Sequence, residues 1–449
     1  MRTHSGVRLL ADDEEALLAR LALAANAAES IDVQYYIWTG DAVGIAVIKQ
    51  LLLAALRGVR VRLLVDDIHF IGYDRRVLAL DVYDNVEIRA FNPLRHRFRE
   101  SPLRSMVEII SGVSRLNHRM HNKVFAVDGS AAIIGGRNLS NEYFSLHSKF
   151  NFRDIDVLIN GPAAAEIVQS FDEYWHSEWA IPLKILHKRR IKPLVLKGLQ
   201  EGLSDQDRVL FERIDALPTK SYFKEQESKA YRCDVEVLAD APQKMKGLEG
   251  FVSPLRRRLF ELSDAANEEI LIENGYFIPG EEGLGRLRKQ TARGVQVKVL
   301  TNSLASNDTG LSHAGYRRYR ERLLRAGVEL YELRVDAALP QNGLEVGLHS
   351  KAATMDRTFA FVGSYNLDQR SATINTEIGV VVHDKQFAQE LAEFILAGMA
   401  RSNSWWLRLA ADDTLQWQHD SHVGGEPPAP WRKRMLVGLL SMLPIERQL

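Results

Sequence analysis

His121 and Lys123 stand two residues apart, as do His349 and Lys351. Each pair is followed by an aspartate, a pair of small residues and an asparagine: Asp128, Gly135, Gly136 and Asn138 in the first copy, Asp356, Gly363, Ser364 and Asn366 in the second. In an extended strand, residues two apart face the same side, so each copy sets an imidazole beside an ammonium. Small residues let backbone N–H groups approach an anion, and the asparagine adds a side-chain donor. Each copy is thus half of a phosphate cradle, with Gly136 and Ser364 at its backbone edge. Two such halves facing one another would hold the non-bridging oxygens of one phosphodiester with Lys123, Lys351, Asn138 and Asn366. The two histidines would flank phosphorus. One attacks in line to form a phosphohistidine; the other protonates the departing oxygen and later deprotonates the incoming acceptor. Asp154 and Glu377, which begin apolar strands 154 − 121 = 33 and 377 − 349 = 28 residues after their own histidines, are the candidates to orient the far ring nitrogens.

Corresponding members of the two motifs are displaced by one interval, since 349 − 121, 356 − 128 and 366 − 138 all equal 228. A single match would be weak evidence, but two in register are a duplication. Val7–Asp12 and Val235–Asp240 repeat with the same displacement, and Arg57–Val59 reappears at Arg293–Val295. Each copy reads as a short strand, an amphipathic helix (Glu14–Ala28, Pro254–Ala266), a strand (Ile31–Trp38, Ile270–Ile278), a helix closed by Gly, and a β-rich run (Val59–Val65, Val295–Leu300). Asp128-Gly129 is a hairpin signal, and Ala131–Ile134 should return antiparallel to the motif strand. Asp128 and Asp356, although members of the motif, are therefore expected to brace that turn rather than touch substrate. The predicted fold class is α/β, with two homologous α/β/α sandwich domains related by a pseudo-twofold axis and the active site at their interface. The expected domains are residues 1–180 and 231–412, joined by a helical connector at 181–230 and followed by a tail at 413–449.

The chain has 449 residues, 46% of them apolar, and 58 basic against 58 acidic side chains. That balance and an apolar tail argue against a nucleic-acid partner. Basic residues cluster locally, at Arg95, His96, Arg97, Arg99, Arg104, Arg115, His118 and Arg119 before the first motif and at Lys188, Arg189, Arg190 and Lys192 after the first half. Two such runs near a phosphate cradle favour an anionic substrate or surface. Cys233 is the single cysteine, which precludes an intramolecular disulfide. No apolar run is long enough to span a bilayer and Met1–Asp13 has no signal-peptide core, so the expected protein is neither secreted nor integral. Asp66 and Asp67 lack partners at metal-ligand spacing and should brace a loop; no metal or cofactor is expected. His118 and His147 have no counterparts in the second copy and are expected to be incidental to the chemistry. Tyr35, Tyr36 and Trp38 are expected in the core, with an acyl channel as the alternative.

The paired His-x-Lys-x4-Asp motif resembles the signature of the phospholipase D superfamily. Within it, Gly135-Gly136-Arg137-Asn138 followed by Glu142-Tyr143, the strand Ile31–Trp38, Tyr276-Phe277-Ile278-Pro279, and Gly363–Asp368 with Arg370-Ser371 are similar to the bacterial cardiolipin synthases of the short, peripheral type. The resemblance implies a metal-free phosphatidyl transfer through phosphohistidine, with His121 as nucleophile and His349 as general acid. Glu377 would support His121 and Asp154 would support His349, crosswise. The implied partners are phospholipids (phosphatidylglycerol, phosphatidylethanolamine or cardiolipin) and a membrane surface, at the cytoplasmic face of a bacterial inner membrane. A hydrolase using water in place of the lipid acceptor would need the same residues. In the tail, Trp431, Met435, Leu436, Leu439, Leu440 and Leu443 recur at helical spacing behind Arg432, Lys433 and Arg434, which predicts an amphipathic helix suited either to closing the fold or to lying on a membrane.

Overall fold

The structure, a computed structural model, describes residues 4–69, 74–94, 117–186, 192–223, 229–247, 251–339, 343–420 and 422–441. The basic residues Arg95 to Arg115, Lys188, Arg189, Arg190 and the tail residue Leu443 lie outside the described residues.

Apolar alternation builds two sheets with the same strand order. The first half contributes β1 (Ser5–Leu10), β2 (Ser30–Tyr35), β3 (Arg60–Asp66), β4 (Val86–Phe91), β5 (Val124–Val127), β6 (Ala131–Gly135), β7 (Phe150–Arg153), β8 (Asp156–Asn160) and β9 (Ala180–Pro182). Across the sheet the order is β1-β8-β6-β5-β2-β3-β4-β9, with β2, β3 and β4 parallel and the other pairs antiparallel. The second half contributes β10 (Tyr231–Ala239), β11 (Glu269–Asn274), β12 (Gln296–Asn302), β13 (Glu329–Leu333), β14 (Glu345–Leu348), β15 (Lys351–Met355), β16 (Phe359–Gly363), β17 (Ile378–His383) and β18 (Ser404–Leu409). Its order is β10-β17-β16-β15-β11-β12-β13-β18, again with the β11, β12 and β13 pairs parallel. Long apolar runs in the parallel strands mark them as covered on both faces, and helices supply the cover. Asp13–Asn26 and Ala42–Leu56 pack outside the first sheet, and Pro254–Ala265 and Gly280–Ala292 outside the second.

One buried core is common to both halves. Val124, Ala126, Ile134 and Val157 of the first sheet join Ala352, Val362, Ile378 and Val380 of the second, with residues of the helices Pro162–Trp175 and Lys385–Met399. β1 also pairs antiparallel with β10. The halves are therefore stacked by hydrophobic burial and stitched by backbone, and their orientation is fixed by both.

One expectation on the domain map changes. The second sheet does not stop at 412: after a turn at Asp413, where φ is 64°, Leu415–His419 returns antiparallel to β18 and His422–Gly424 pairs next to it. Trp417, buried beneath that hairpin, is the anchor that the polar composition concealed. The helical connector packs on the first half, with Leu199, Leu203, Phe211, Ile214 and Tyr222 buried in its core.

The motif aspartates occupy the hairpin turns in left-handed conformation, with φ of 53° at Asp128 and 52° at Asp356. Asp128 accepts from the N–H groups of Ala28 (2.9 Å), Glu29 (2.7 Å) and Ser30 (2.9 Å), and Asp356 from those of Asn267 (2.9 Å), Glu268 (2.8 Å) and Glu269 (3.0 Å). Each thus ties its hairpin to the start of the neighbouring strand, at the far end of β5 or β15 from the histidine. Asp128→Ala should lower stability by about 1–2 kcal/mol, the order expected for lost charge-assisted hydrogen bonds at a partly exposed site. A thermal melt set beside turnover per folded molecule checks this, with the expected fall in the melt and little change in turnover.

Candidate active site

Lys123 and Lys351 lead into the edge-to-centre strands β5 and β15, and the glycine and serine of the cradle end the return strands β6 and β16. The same edges meet across the halves. His121 donates its backbone N–H to Thr376 O (2.9 Å) and Thr376 its own to Arg119 O (2.9 Å), while on the other side β14 runs parallel to β7 and His349 N–H bonds Arg153 O (2.9 Å). Each histidine is thereby carried to the residue that precedes the opposite half's carboxylate.

The carboxylates complete the arrangement crosswise. Nδ1 of His121 lies 2.9 Å from Glu377 Oε2, and Nδ1 of His349 lies 2.7 Å from Asp154 Oδ2. Both acids are buried, as are both histidines and both motif lysines. Glu377 also accepts from Ser364 Oγ (2.5 Å) and Ser371 Oγ (2.7 Å). Asp154 accepts the N–H of Ile155 (2.8 Å), and its own carbonyl accepts from Arg137 Nη2 (2.7 Å). Gly136 is required beside it, because a Cβ there would come within 2.0 Å of Asp154 Oδ1. Lys123 Nζ caps His121 O at 2.7 Å, and Lys351 Nζ bonds His349 O. Asn138 accepts the Ile37 N–H on its oxygen at 3.2 Å, which leaves its amide nitrogen facing the Tyr143 hydroxyl. Asn366 keeps a buried, unpaired amide oxygen; rotation of the amide exchanges it for a donor.

Burial dominates the electrostatics. It pushes the His121 imidazole down to about 4, against the opposing pull of Glu377, and holds His349 well below its ordinary value, with Lys351 and Lys123 adding to the effect. Burial lowers Lys123 to about 7 and Lys351 to about 8. Burial would raise Glu377, but His121, Lys123 and Ser364 outweigh it and keep this acid below the usual carboxylate range. Asp154 is raised, since burial there exceeds the pull of Lys351 and Arg137. A buried pocket in which two ammonium groups are poised to lose their protons is short of one anion.

Of the strand aromatics expected in the core, Tyr36 is instead half-buried and walls the site, and Tyr276 and Tyr143, to which sequence reasoning assigned no role, do the same on the other side. Tyr36 stands edge-on to His121, 5.0 Å between ring centroids, with Lys123 Nζ 5.4 Å from its ring; Tyr276 stands 5.9 Å from His349, with Lys351 Nζ also at 5.4 Å. Tyr143 packs on His349 at 5.0 Å. Tyr35 and Trp38 are core residues, bonded to Arg20 and to Gly44 O. Asp66 braces Arg119 (3.2 Å) and the backbone of Met120 and Ile68, and Asp67 holds Leu94 N–H. His147 braces its own loop through Phe150 O (3.1 Å), and His118 O receives Asn92 Nδ2 (3.0 Å).

The duplicated sheets, stacked about a buried His–Lys pair from each, define the phospholipase D class of fold. A solved phosphatidylserine synthase of Haemophilus influenzae superposes over 100% of this chain and 98% of its own with a TM-score of 0.66, at 15% identity. The sequence profile described as cardiolipin synthase, PLD-like domain, matches residues 21–179 and 259–397. Cardiolipin synthase C of Escherichia coli (strain K12) is 35% identical over 96% of this chain and 93% of its own length, and cardiolipin synthase B of the same strain is 27% identical over 87% and 80%. The chain belongs to the family of phospholipase D-like cardiolipin synthases.

The depressed lysines give a sign. As pH rises through about 7 and 8 the two ammonium groups lose their protons and the cradle loses its positive charge; an anion bound there draws protons back. Sulfate, which does not titrate in this range, should bind the cradle about ten-fold or more weakly at pH 9 than at pH 6, with proton uptake on binding. Calorimetry in buffers of different ionisation enthalpy measures both.

Proposed function

We propose that the protein is a phosphatidyltransferase that joins phospholipids in the manner of a cardiolipin synthase. The observation that carries this reading is the crosswise pair of histidine–carboxylate contacts around one cradle of two lysines and two asparagines, in a chain 35% identical to a cardiolipin synthase over 96% of its length. His121, with its Nδ1 proton held by Glu377, attacks phosphorus of the donor lipid through Nε2. A P–N bond forms, the bond to the headgroup oxygen breaks, and His349, which takes up a proton as the anionic donor binds beside it, gives that oxygen its proton. The acceptor's hydroxyl then yields its proton to His349 and attacks the phosphohistidine, so that the new P–O bond replaces P–N and the histidine is released. Lys123, Lys351, Asn138 and Asn366 hold the non-bridging oxygens, and their contacts tighten as charge grows in the transition state; the backbone N–H groups of Gly136 and Ser364, expected from the sequence to join them, are instead given to Ile155 O (3.1 Å) and Ile378 O (2.8 Å). All the roles named are filled by side chains of this chain.

The lipids proposed are phosphatidylglycerol, phosphatidylethanolamine or cardiolipin. The proposed location is peripheral, on the cytoplasmic face of a bacterial inner membrane; among the described residues no helix is long and apolar enough to cross one.

Purified protein incubated with labelled phosphatidylglycerol, alone and then with phosphatidylethanolamine, should yield cardiolipin. Phosphatidic acid as the sole product would instead mean that water is the acceptor. Quenching by denaturation at alkaline pH, where a phosphohistidine survives, should place the phosphorus label on His121, and His121→Ala should lower turnover by at least about 1,000-fold. Label on His349 would reverse the two roles.

A further inference from the structure

The helix Trp431–Leu440 is amphipathic in the opposite sense to an ordinary closing helix. Val437 is buried against Leu304 and Ala314, with Ala429 and Leu440 partly buried around it. On the side away from Val437, Trp431, Met435 and Leu439 follow one another four residues apart and form a stripe along the helix, with Leu436 next to it. All four face solvent, at 66%, 56%, 58% and 50% exposure. Four of the exposed large apolar side chains among the described residues thus sit together on one helix pinned to the body by its other face, an arrangement that burial does not explain.

Charge accompanies the stripe. Arg432 and Arg434 are exposed, and the Arg432 guanidinium lies 5.6 Å from the Trp431 ring centroid. Lys433 turns inward and donates to Ala305 O at 3.1 Å, and Arg318 holds the helix C-terminus through Ser441 O at 2.5 Å. Lys433 also sits in the field of Asp308, whose carboxylate accepts from the Tyr276 hydroxyl at 2.7 Å. Tyr276 is the aromatic wall beside His349 and Lys351. Tyr276 and Asp308 therefore lie between His349 and the base of this helix, with Lys433 in the field of Asp308.

We infer that the helix Trp431–Leu440 lies in the interfacial zone of an anionic lipid bilayer and sets the His349 side of the active-site cleft against it. The inference rests on the phospholipid reading above. Trp431, Met435, Leu436 and Leu439 enter the acyl–headgroup boundary, while Arg432 and Arg434 meet lipid phosphates at its rim. The rigid attachment through Val437, Lys433 and Arg318 means that insertion of the stripe also orients the body, so that a lipid reaches the cradle by a short lateral path rather than through water.

The test replaces the exposed stripe alone, as Trp431→Gln with Met435→Gln and Leu439→Gln, and keeps Val437 and the basic residues. Full-length protein is sedimented with vesicles of phosphatidylglycerol and phosphatidylcholine, and turnover is followed on vesicles and on detergent-dispersed lipid. The expected result is vesicle binding weaker by about ten-fold or more, with turnover lost on vesicles and kept in detergent. In the unsubstituted protein, brominated lipid should quench a tryptophan signal that Trp431→Phe removes. Equal vesicle binding by the two proteins overturns the inference. Equal loss of turnover in vesicles and detergent does so too, since the helix would then only support the fold. Loss of self-association without loss of vesicle binding would identify a second copy as the occupant and also overturn it. If the unsubstituted protein binds vesicles through Trp431 yet transfers no phosphatidyl group, the transferase reading fails and the docking stands.

Discussion

Each motif histidine of this protein is held through Nδ1 by a carboxylate that belongs to the other half of the chain. A buried acid without a partner would be strongly unfavourable, and each of these two is supplied with one only when the halves are in register. The same contact sets the tautomer: a carboxylate at Nδ1 holds a proton there and leaves Nε2 free to face phosphorus. Much of the surrounding structure can be derived from that requirement. The shared apolar core fixes the separation of the sheets, and the cross-half pairings of Met120 with Thr376 and of β14 with β7 fix the slide between them. Behind the acids lie further buried pairs, Arg137 with Asp156 (3.1 Å) and Asp13 (2.7 Å) on one side and Lys244 with Asp240 (2.7 Å) on the other. Asp240 also accepts the Glu377 N–H (3.2 Å), so this support reaches the reacting centre through backbone.

What could be read in the sequence was what recurs locally. The motif strand, its Asp-Gly hairpin and the return strand are adjacent in sequence, and the 228-residue displacement required any fold of the first half to appear again in the second. The identical strand order of the two sheets follows. Partners for the histidines could be nominated because Asp154 and Glu377 are acids opening apolar strands, where a charge needs a reason. The pairings that bring them together could not be read, since β7 and β14 meet across about two hundred residues and neither carries a strong strand pattern. The aromatic walls were hidden differently. Tyr36 and Tyr276 are displaced by 276 − 36 = 240 rather than 228, so the loops between β2 and the motif have changed length and the repeat no longer aligns them. The hairpin after Asp413 was concealed by polar residues on its outer face, and only Trp417 points to the core.

A symmetric fold must still perform an asymmetric reaction, and the departures from symmetry gather around the two acids. Where the second copy has Ser364, whose hydroxyl bonds Glu377, the first has Gly136, whose missing side chain makes room for Asp154. Glu377 is held in its ionised form by His121, Lys123 and hydroxyl donors, whereas Asp154 receives no hydroxyl among the described residues and is raised by burial. Outside the acids the contrast continues: Arg119 answers to Gly347, and Arg370, fixed on Asn117 Oδ1 (2.7 Å), answers to Glu142. The first histidine therefore faces a permanent carboxylate and a basic surround, the second a less committed acid with Glu142 and Asp308 nearby. A fixed charge that secures the Nδ1 proton suits a nucleophile, which must present a lone pair at Nε2 throughout the approach to phosphorus. An acid that gains most when its imidazole becomes charged suits the histidine that alternately holds and releases a proton. The symmetric motif alone does not assign the polarity of the proposed reaction; the hydroxyl donors that Ser364 and Ser371 aim at Glu377 are the departures from the duplication that favour His121 as the attacking residue in that proposal.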